Sequence, residues 1–250
     1  IRVGTFEYLM RYCTKKDLET FIYYVIDRHF PKIRDKDNPV LELVKVVMNR
    51  QIDLIVDWTR VGFIHGVMNT DNMSISGETI DYGPCAFMNI YNPKTVFSSI
   101  DKLGRYAFEN QSNIAIWNLT IFARTLLPFI SQNMTESIEL VGSVLSLYKE
   151  EFTEKWYRMM FNKLGIEKPL KEDNKLVDVL LDLMEQNKAD YTNTFASLTL
   201  DVDSNDRLYH TNEFKKWIKA WKNRINYLGR KEKAYKLMKI YNPLFIPRNH

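Results

Sequence analysis

The stretch HGVMNTDNMSISGETIDYG, residues 65–83, decides how the rest of the chain is interpreted. It combines a histidine, two aspartates and two asparagines with several glycines, so turn-forming residues and oxygen-bearing side chains are concentrated in one short segment. Elsewhere the chain mostly repeats apolar residues at helical spacing. A polar segment of this kind within a helical protein is typical of a loop that binds a ligand.

A β-hairpin is predicted within this segment. Residues 72–75 and 78–80 have the pattern of two short strands, and the Ser-Gly pair between them is a turn signal. The hairpin would bring the side chains of Asn72 and Asp81 to the same end. Hard cations such as Mg²⁺ prefer carboxylate and carbonyl oxygens, and they share their coordination shell with substrate phosphates. These two residues therefore predict a divalent-metal site.

The rest of the chain predicts a mainly α-helical fold. In DLETFIYYVIDRHF, residues 17–30, apolar residues recur every three or four positions, and Pro31 then ends the pattern. The proline-containing, charged segment GIEKPLKEDN, residues 165–174, predicts a boundary between a core that holds the loop, 1–165, and a helical extension, 166–250. Further helical patterns fill 41–58, 113–130, 134–164, 174–188 and 212–240.

Composition disfavours several classes of protein. The 35 Lys and Arg residues are mixed along the chain with 31 Asp and Glu, and the net charge of +4 does not indicate a nucleic-acid interface. Two cysteines are too few for a disulfide framework or a zinc site, and they favour a reducing compartment. No window approaches the ~18 uncharged residues of a membrane span. We therefore expect neither a nucleic-acid partner nor a membrane partner.

The opening segment resembles the catalytic loop of protein kinases and of aminoglycoside-phosphotransferase-like kinases. Residues 65–72 align with the pattern H-x-D-x-x-x-x-N, and residues 81–83 stand where those enzymes have D-F-G. Val67 occupies the position of the catalytic aspartate, and a valine cannot accept a proton. General-base catalysis contributes about 10²- to 10⁴-fold, so the chain is either inactive as a kinase or uses another base. Asp71 is the carboxylate in the loop that could replace it.

Longer strings narrow this resemblance to one family. WTRVGFIHGVMNTDNMSISGETIDYGPCAF and VFSSIDKLGRYAFENQSNIAIWNL are similar to the selenoprotein O family of pseudokinase-fold proteins, as are RVGTFEY at the start and NPLFIPRNH at the end. The resemblance covers essentially the whole chain. It implies the large, C-terminal lobe of a protein-kinase-like fold, with the hairpin at the nucleotide site. The smaller N-terminal lobe, which completes the nucleotide site in that family, is expected upstream of residue 1.

The resemblance also implies an activity and roles for particular residues. Members of the family transfer AMP from ATP to Ser, Thr or Tyr hydroxyls of protein substrates, and they bind ATP in a flipped orientation relative to kinases. On that basis Asp71 is expected to accept the hydroxyl proton, and Asn72 and Asp81 to bind Mg²⁺, with Mn²⁺ as the alternative metal. Arg2 and Asp81 are expected to contact the ATP. The activity of this portion without the N-terminal lobe is an open question.

Two other functions stay open at this point. A phosphotransferase of the kinase type would need a base at position 67, which Val67 does not supply. A non-catalytic pseudokinase module would bind a partner and keep the acidic cluster without using it. We further expect a monomer in a bacterial cytoplasm, or in a mitochondrion if the source is eukaryotic.

Several other residues have a structural and a functional interpretation. We expect His65 to hold the loop by hydrogen bonds, and Cys85 to be a small buried hydrophobe rather than a redox group. Arg105 could steer a protein substrate or form a structural ion pair. The segment DVDSNDRLYHTNE, 201–213, imitates a calcium loop but lacks its glycine and its glutamate, so a polar loop that caps a helix near Thr211 is predicted. The aromatic residues expected in the core are Trp58, Trp117, Trp156, Trp217 and Trp221.

Overall fold

The computed structural model describes residues 1–226 and 230–247. The predicted mainly helical fold is confirmed, whereas its relation to a kinase lobe stays a prediction. Within the described part of the chain, no helix combines the length and the apolar character that a membrane span requires. The α-helices are α1 (Val3–Tyr12), α2 (Lys15–His29), α3 (Pro39–Val61), α4 (Gln111–Leu126), α5 (Met134–Ser146), α6 (Tyr148–Lys163), α7 (Asn174–Asn187), α8 (Tyr191–Leu200), α9 (Arg207–His210), α10 (Asn212–Asn226) and α11 (Lys231–Tyr241).

Most helices lie where the apolar spacing predicts them. Helix α2 begins at a capping box, in which the Thr14 hydroxyl accepts a hydrogen bond from the Asp17 backbone and the Asp17 carboxylate accepts one from the Thr14 backbone. It ends before Pro31, as predicted. The pattern over 134–164 corresponds to α5 and α6, which divide at Leu147. The pattern over 212–240 corresponds to α10 and α11, and residues 227–229 of that prediction lie outside the described residues.

The predicted hairpin over 72–80 is wrong. Thr70–Asn72 forms a 3-10 turn, and the backbone of Ser74 forms an isolated antiparallel bridge with Arg2 instead of pairing with 78–80. Two-stranded pairing occurs outside this stretch, between β1 (Phe63–Ile64) and β2 (Ala86–Phe87), which are antiparallel. The physical reason is that the groups of 73–75 that would pair across a hairpin are already bonded to the start of the chain.

Two compact units make up the chain. The first comprises Ile1–Ile55, Val67–Gly83 and Asn110–Phe152, and the second comprises Val56–Gly66, Pro84–Glu109 and Thr153–His250. The predicted boundary segment, 165–174, lies inside the second unit. The assignment of 1–165 and 166–250 as core and extension stays a prediction.

Aromatic rings fill the core of the first unit. Phe6 of α1 is fully buried, and its ring centroid lies 5.1 Å from that of Phe21 and 4.9 Å from that of Phe122, both in edge-to-face arrangements. Phe122 belongs to α4 and Phe21 to α2, so Phe6 joins three helices. Helix α1 is thereby fixed next to the segment 70–75.

The second unit is organised around the C-terminal end of α3, where helix carbonyls lack intrahelical partners. The hydroxyl of Tyr191 donates a hydrogen bond to the Thr59 carbonyl at 2.9 Å, and the side-chain amino group of Lys163 donates one to the Arg60 carbonyl at 2.8 Å. Lys163 is 1% exposed, and its Nζ lies 4.0 Å from the ring centroid of Phe195. Two buried side chains therefore cap this helix end.

The polar stretch 201–213 also behaves largely as predicted. The Thr211 hydroxyl accepts a hydrogen bond from the Phe214 backbone, so it caps α10. Asp201 forms salt bridges with Lys222 at 2.8 Å and with Lys231 at 3.5 Å.

The prediction that all five tryptophans are core residues is wrong for Trp117, whose side chain is 46% exposed on the surface of α4.

Lys163 gives the folded protein a specific dependence on pH. Burial lowers the pKa of its ammonium well below the ordinary 10.5, and the positive charge of Arg60 adds to this shift. Because the unfolded chain then binds the proton more readily, this group makes the free energy of unfolding increase as pH rises toward 10.5. We expect Lys163→Met to reduce the gain in unfolding free energy between about pH 7 and about pH 9.5, measured by urea denaturation. The exposed Lys239→Met is the control, and equal pH slopes for Lys163→Met and the unsubstituted protein would contradict the assignment.

Candidate functional site

The segment 65–83 begins with a histidine that is packed against aromatic rings. His65 is fully buried, and its ring centroid lies 5.3 Å from that of Trp58 and 6.4 Å from that of Phe63. Gly66 follows with φ +85°, and a Cβ at this position would lie 2.8 Å from the Pro84 carbonyl oxygen. The start of the segment therefore needs a glycine for both its conformation and its close approach. His65 therefore has a packed, aromatic environment, and its predicted role of holding the loop by hydrogen bonds stays a prediction.

Side-chain amides shape the backbone between Val67 and Asn72. The Asn69 side chain accepts a hydrogen bond from the Asn72 backbone at 3.0 Å, which closes the 3-10 turn. The Asn72 Nδ2 donates to the Val67 carbonyl at 3.0 Å. Because its nitrogen is committed to Val67, Asn72 keeps its Oδ1 as an acceptor for a ligand. Val67, which stands where kinases have the catalytic aspartate, thus stabilises the turn through its backbone carbonyl.

Asn118 is a residue of this site that the sequence analysis does not identify. It is fully buried on α4, and its Nδ2 donates to the Met68 carbonyl at 3.0 Å. Its Oδ1 is buried and has no hydrogen-bond partner among the residues that the structure describes. A polar residue within the apolar run IAIWNLTIF was the available signal, since a buried amide is costly unless it is bonded.

Asp71 is held beside the first turn of α1. The chain start pairs with the loop, because the Val3 backbone donates to the Met73 carbonyl at 2.9 Å and the Ile75 backbone donates to the Ile1 carbonyl at 3.0 Å. A Cβ added to Gly4 would lie 2.0 Å from Asp71 Oδ1. Only a glycine at this position leaves room for the carboxylate. Asp71 itself is exposed, and its carboxylate has no hydrogen-bond or ion-pair partner in the described chain.

Asp81 has an unusual backbone conformation. Its φ is +58°, in the left-handed region that residues other than glycine rarely occupy. Aspartate tolerates this region better than most residues, and such conformations are often retained at functional sites. The side chain is exposed, and within residues 1–226 and 230–247 it makes no hydrogen bond or ion pair. Its carboxylate is therefore available to a ligand.

The described residues form no closed metal cage, and an open magnesium site stays a prediction. Among the described residues there is no group of three or more His, Cys, Asp or Glu side chains placed to hold a metal. Mg²⁺ usually takes one or two carboxylates and fills its shell with waters and substrate phosphates. Asn72 and Asp81 carry ligand atoms of these types, and their joint binding of a metal ion stays a prediction.

The predicted site residues all lie in the first unit. Arg2 forms the isolated bridge with Ser74, next to the 3-10 turn that carries Asp71 and Asn72, and its side chain is exposed. The contacts of α1 with the turn bring these three residues into one region. The roles assigned to them and to Asp81 stay predictions.

Comparisons with known proteins point to one family. A family model described as protein adenylyltransferase SelO matches residues 1–250. A protein nucleotidyltransferase YdiU of Pelagibacter ubique (strain HTCC1062) is 50% identical over 251 residues, which cover 100% of this chain and 52% of that relative. Proteins of the same name from Clostridium perfringens (strain SM101 / Type A) and Clostridium botulinum (strain 657 / Type Ba4) are 47% and 50% identical, each covering 100% of this chain and 51% of the relative. The chain spans about half the length of the curated relatives it matches.

The contact between Gly4 and Asp71 can be tested by stability measurements. We expect Gly4→Ala to force the Asp71 side chain out of its position and to lower the free energy of unfolding by about 1–3 kcal/mol. Gly142→Ala is the matched control, because nothing lies within 4 Å of a Cβ at that helical position, and it should stabilise by about 0.4–1 kcal/mol. The measurement is urea denaturation of the full-length protein.

A double variant distinguishes this contact from a general effect on α1. If the new methyl group collides with the carboxylate, Gly4→Ala combined with Asp71→Ala should cost less than the sum of the two single changes. Additive costs would show that Asp71 is not the group against which the methyl group packs.

Proposed function

The chain belongs to the SelO family of protein adenylyltransferases, and on that premise we propose that the full-length protein transfers AMP from ATP to Ser, Thr and Tyr hydroxyls of protein substrates. The observation that carries the proposal is the shape of the turn at 70–72. It presents Asp71, a carboxylate without a partner in the described chain, directly before Asn72, whose amide oxygen is available to a ligand.

Asp71 is the group that we propose as the general base. The acceptor hydroxyl oxygen forms a new bond to the α-phosphorus of ATP, the bond from that phosphorus to the β-phosphate bridge breaks, and pyrophosphate leaves. The hydroxyl proton passes to Asp71. A base in this position explains how the protein can act without a carboxylate at Val67, which has no group that accepts a proton.

Asn72 and Asp81 are the proposed magnesium ligands, and Asp81 and Arg2 the proposed contacts to the nucleotide. A bound magnesium ion would neutralise negative charge on the phosphate oxygens. The chain's own contribution is to leave the Asp81 carboxylate without a competing partner among the described residues and to hold the Asn72 side chain in place. The Val67 carbonyl does this for Asn72 by holding its nitrogen. The exposed guanidinium of Arg2 would add positive charge beside the phosphates.

The position of the label in ATP separates the proposed activity from its two rivals. Full-length protein is incubated with magnesium, an acceptor protein and ATP labelled on either the α- or the γ-phosphate. We expect α-label on the acceptor, because nucleotidyl transfer keeps that phosphate. Transfer of γ-label would instead indicate a kinase. No transfer of either label would indicate a non-catalytic binding module.

Substitution of the carboxylates tests the site assignment. Asp81→Ala should abolish transfer, because it removes a proposed metal ligand. Asp71→Ala should lower kcat by about 10²- to 10⁴-fold, the usual value of a general base. Asp37→Ala is the control, since Asp37 is an exposed aspartate of the same unit without a described partner. Unchanged transfer by either site variant would remove that residue from the mechanism.

A further inference from the structure

An ordered loop of the second unit exposes two large aliphatic side chains. In the loop formed by residues 93–109, Leu103 is 97% exposed and Ile100 is 78% exposed. Neighbouring Phe97 is 39% exposed. Several large apolar side chains exposed within one short segment mark surfaces for interaction more often than a single one does.

The base of the loop is firmly held. The Phe108 backbone donates to the Thr95 carbonyl at 3.1 Å, and the Glu109 backbone donates to the Pro93 carbonyl at 2.9 Å. The Phe108 ring lies 6.2 Å from that of Tyr191, a fully packed residue that also stacks on Tyr91. The two ends of the loop are thus closed against the core of the second unit.

The tip has its own hydrogen bonds, and these fix the backbone that carries the exposed side chains. The Asp101 carboxylate accepts hydrogen bonds from the backbones of Arg105 at 2.8 Å and Tyr106 at 2.7 Å. Gly104 takes φ +69° to make this turn. The exposure of Leu103 is therefore imposed by a defined turn. An ordered loop that keeps leucine in water forgoes the stability that burial would give.

The charges around the tip are positive. At the tip, Lys102 and Arg105 are exposed, whereas Lys94 and Glu109, of opposite charge, are exposed at the base of the loop. The negative group of the tip, Asp101, faces the backbone N–H groups of the turn that it holds. An approaching molecule therefore meets an apolar centre with a basic rim, and acidic groups on a partner would complement that rim.

We propose that the tip of this loop, residues 100–105, docks the polypeptide that accepts AMP, through an acidic segment that carries an apolar side chain. The apolar side chain packs on Leu103 and Ile100, and its acidic neighbours face the basic rim. The identity of the partner as the acceptor rests on the proposed function, whereas the preference for acidic, apolar segments rests on the loop alone.

A binding experiment tests the preference without requiring catalysis. The probe is a fluorescein-labelled peptide in which leucines and one serine are flanked by glutamates, and the comparison peptide has glutamine in place of every glutamate. Fluorescence anisotropy with full-length protein should show that the acidic peptide binds about tenfold more tightly. Equal affinity for the two peptides would overturn the proposal.

Two substitutions on the loop have matched controls on α11. Leu103→Ala and Lys102→Glu should each weaken binding of the acidic peptide about tenfold. The controls are Ile240→Ala and Lys239→Glu. Ile240 is an aliphatic residue whose side chain is 75% exposed, and Lys239 beside it is an exposed lysine. The controls should bind like the unsubstituted protein, and an equal loss in both pairs would overturn the assignment to the loop.

A segment corresponding to the part of the relatives that this chain does not match is the other candidate to cover these side chains. If it covers them, Leu103→Ala should lower the thermal unfolding temperature, whereas docking predicts no change in that temperature. In the α-label assay the docking variants should raise KM for the acidic peptide and leave kcat unchanged. Binding of the peptide without any α-label transfer would contradict the proposed function and leave the docking surface standing.

Discussion

The C-terminal end of α3 is the constraint on which the second unit depends. Its last carbonyls are bonded to Tyr191 and Lys163, both buried. Tyr191 also lies against Gly62, which has φ +73° and where a Cβ would be 3.0 Å from the ring, so both the backbone conformation and the packing favour glycine after α3. The same ring supports Tyr91 and Phe108 at the base of the exposed loop. One tyrosine therefore fixes the strand that leads to His65 and the base of the docking surface.

In the first unit, side-chain amides form hydrogen bonds to the backbone of the candidate site. In the second unit, two long buried side chains form hydrogen bonds to the end of α3. Asn69, Asn72 and Asn118 bond successive backbone groups of the candidate site, and Gly4 admits the carboxylate of Asp71. A backbone held at this many points orients the reactive groups before a ligand arrives. Such preorganisation is what a catalytic site needs, because it avoids reorganisation during the reaction.

The sequence predicts the local part of this structure well. Helices α2, α3 and α7 follow from apolar spacing, since each buries an apolar face, and α2 ends before Pro31. The hairpin fails for a non-local reason: the partner of Ser74 is Arg2, far away along the chain, and nothing in the segment itself shows which strand it will pair with. The same holds for the contact between Gly4 and Asp71.

The candidate residues themselves are found by resemblance, and their surroundings are not. Asn118 sits in an apolar run and its bond to Met68 spans two separate segments, so spacing alone gives no reason to place it at the site. Trp117, beside it, is exposed because α4 turns that face outward. The position of one aromatic residue in a periodic pattern does not show whether the helix face that carries it is buried or exposed.

The left-handed backbone of Asp81 limits how this position can vary over evolutionary time. Glutamate would preserve the charge, but its longer side chain tolerates that conformation less well and would place the carboxylate elsewhere. Asparagine and glycine would accept the conformation and lose the negative charge. No substitution therefore keeps both properties, and drift through chemically similar residues is blocked at this one point in the chain.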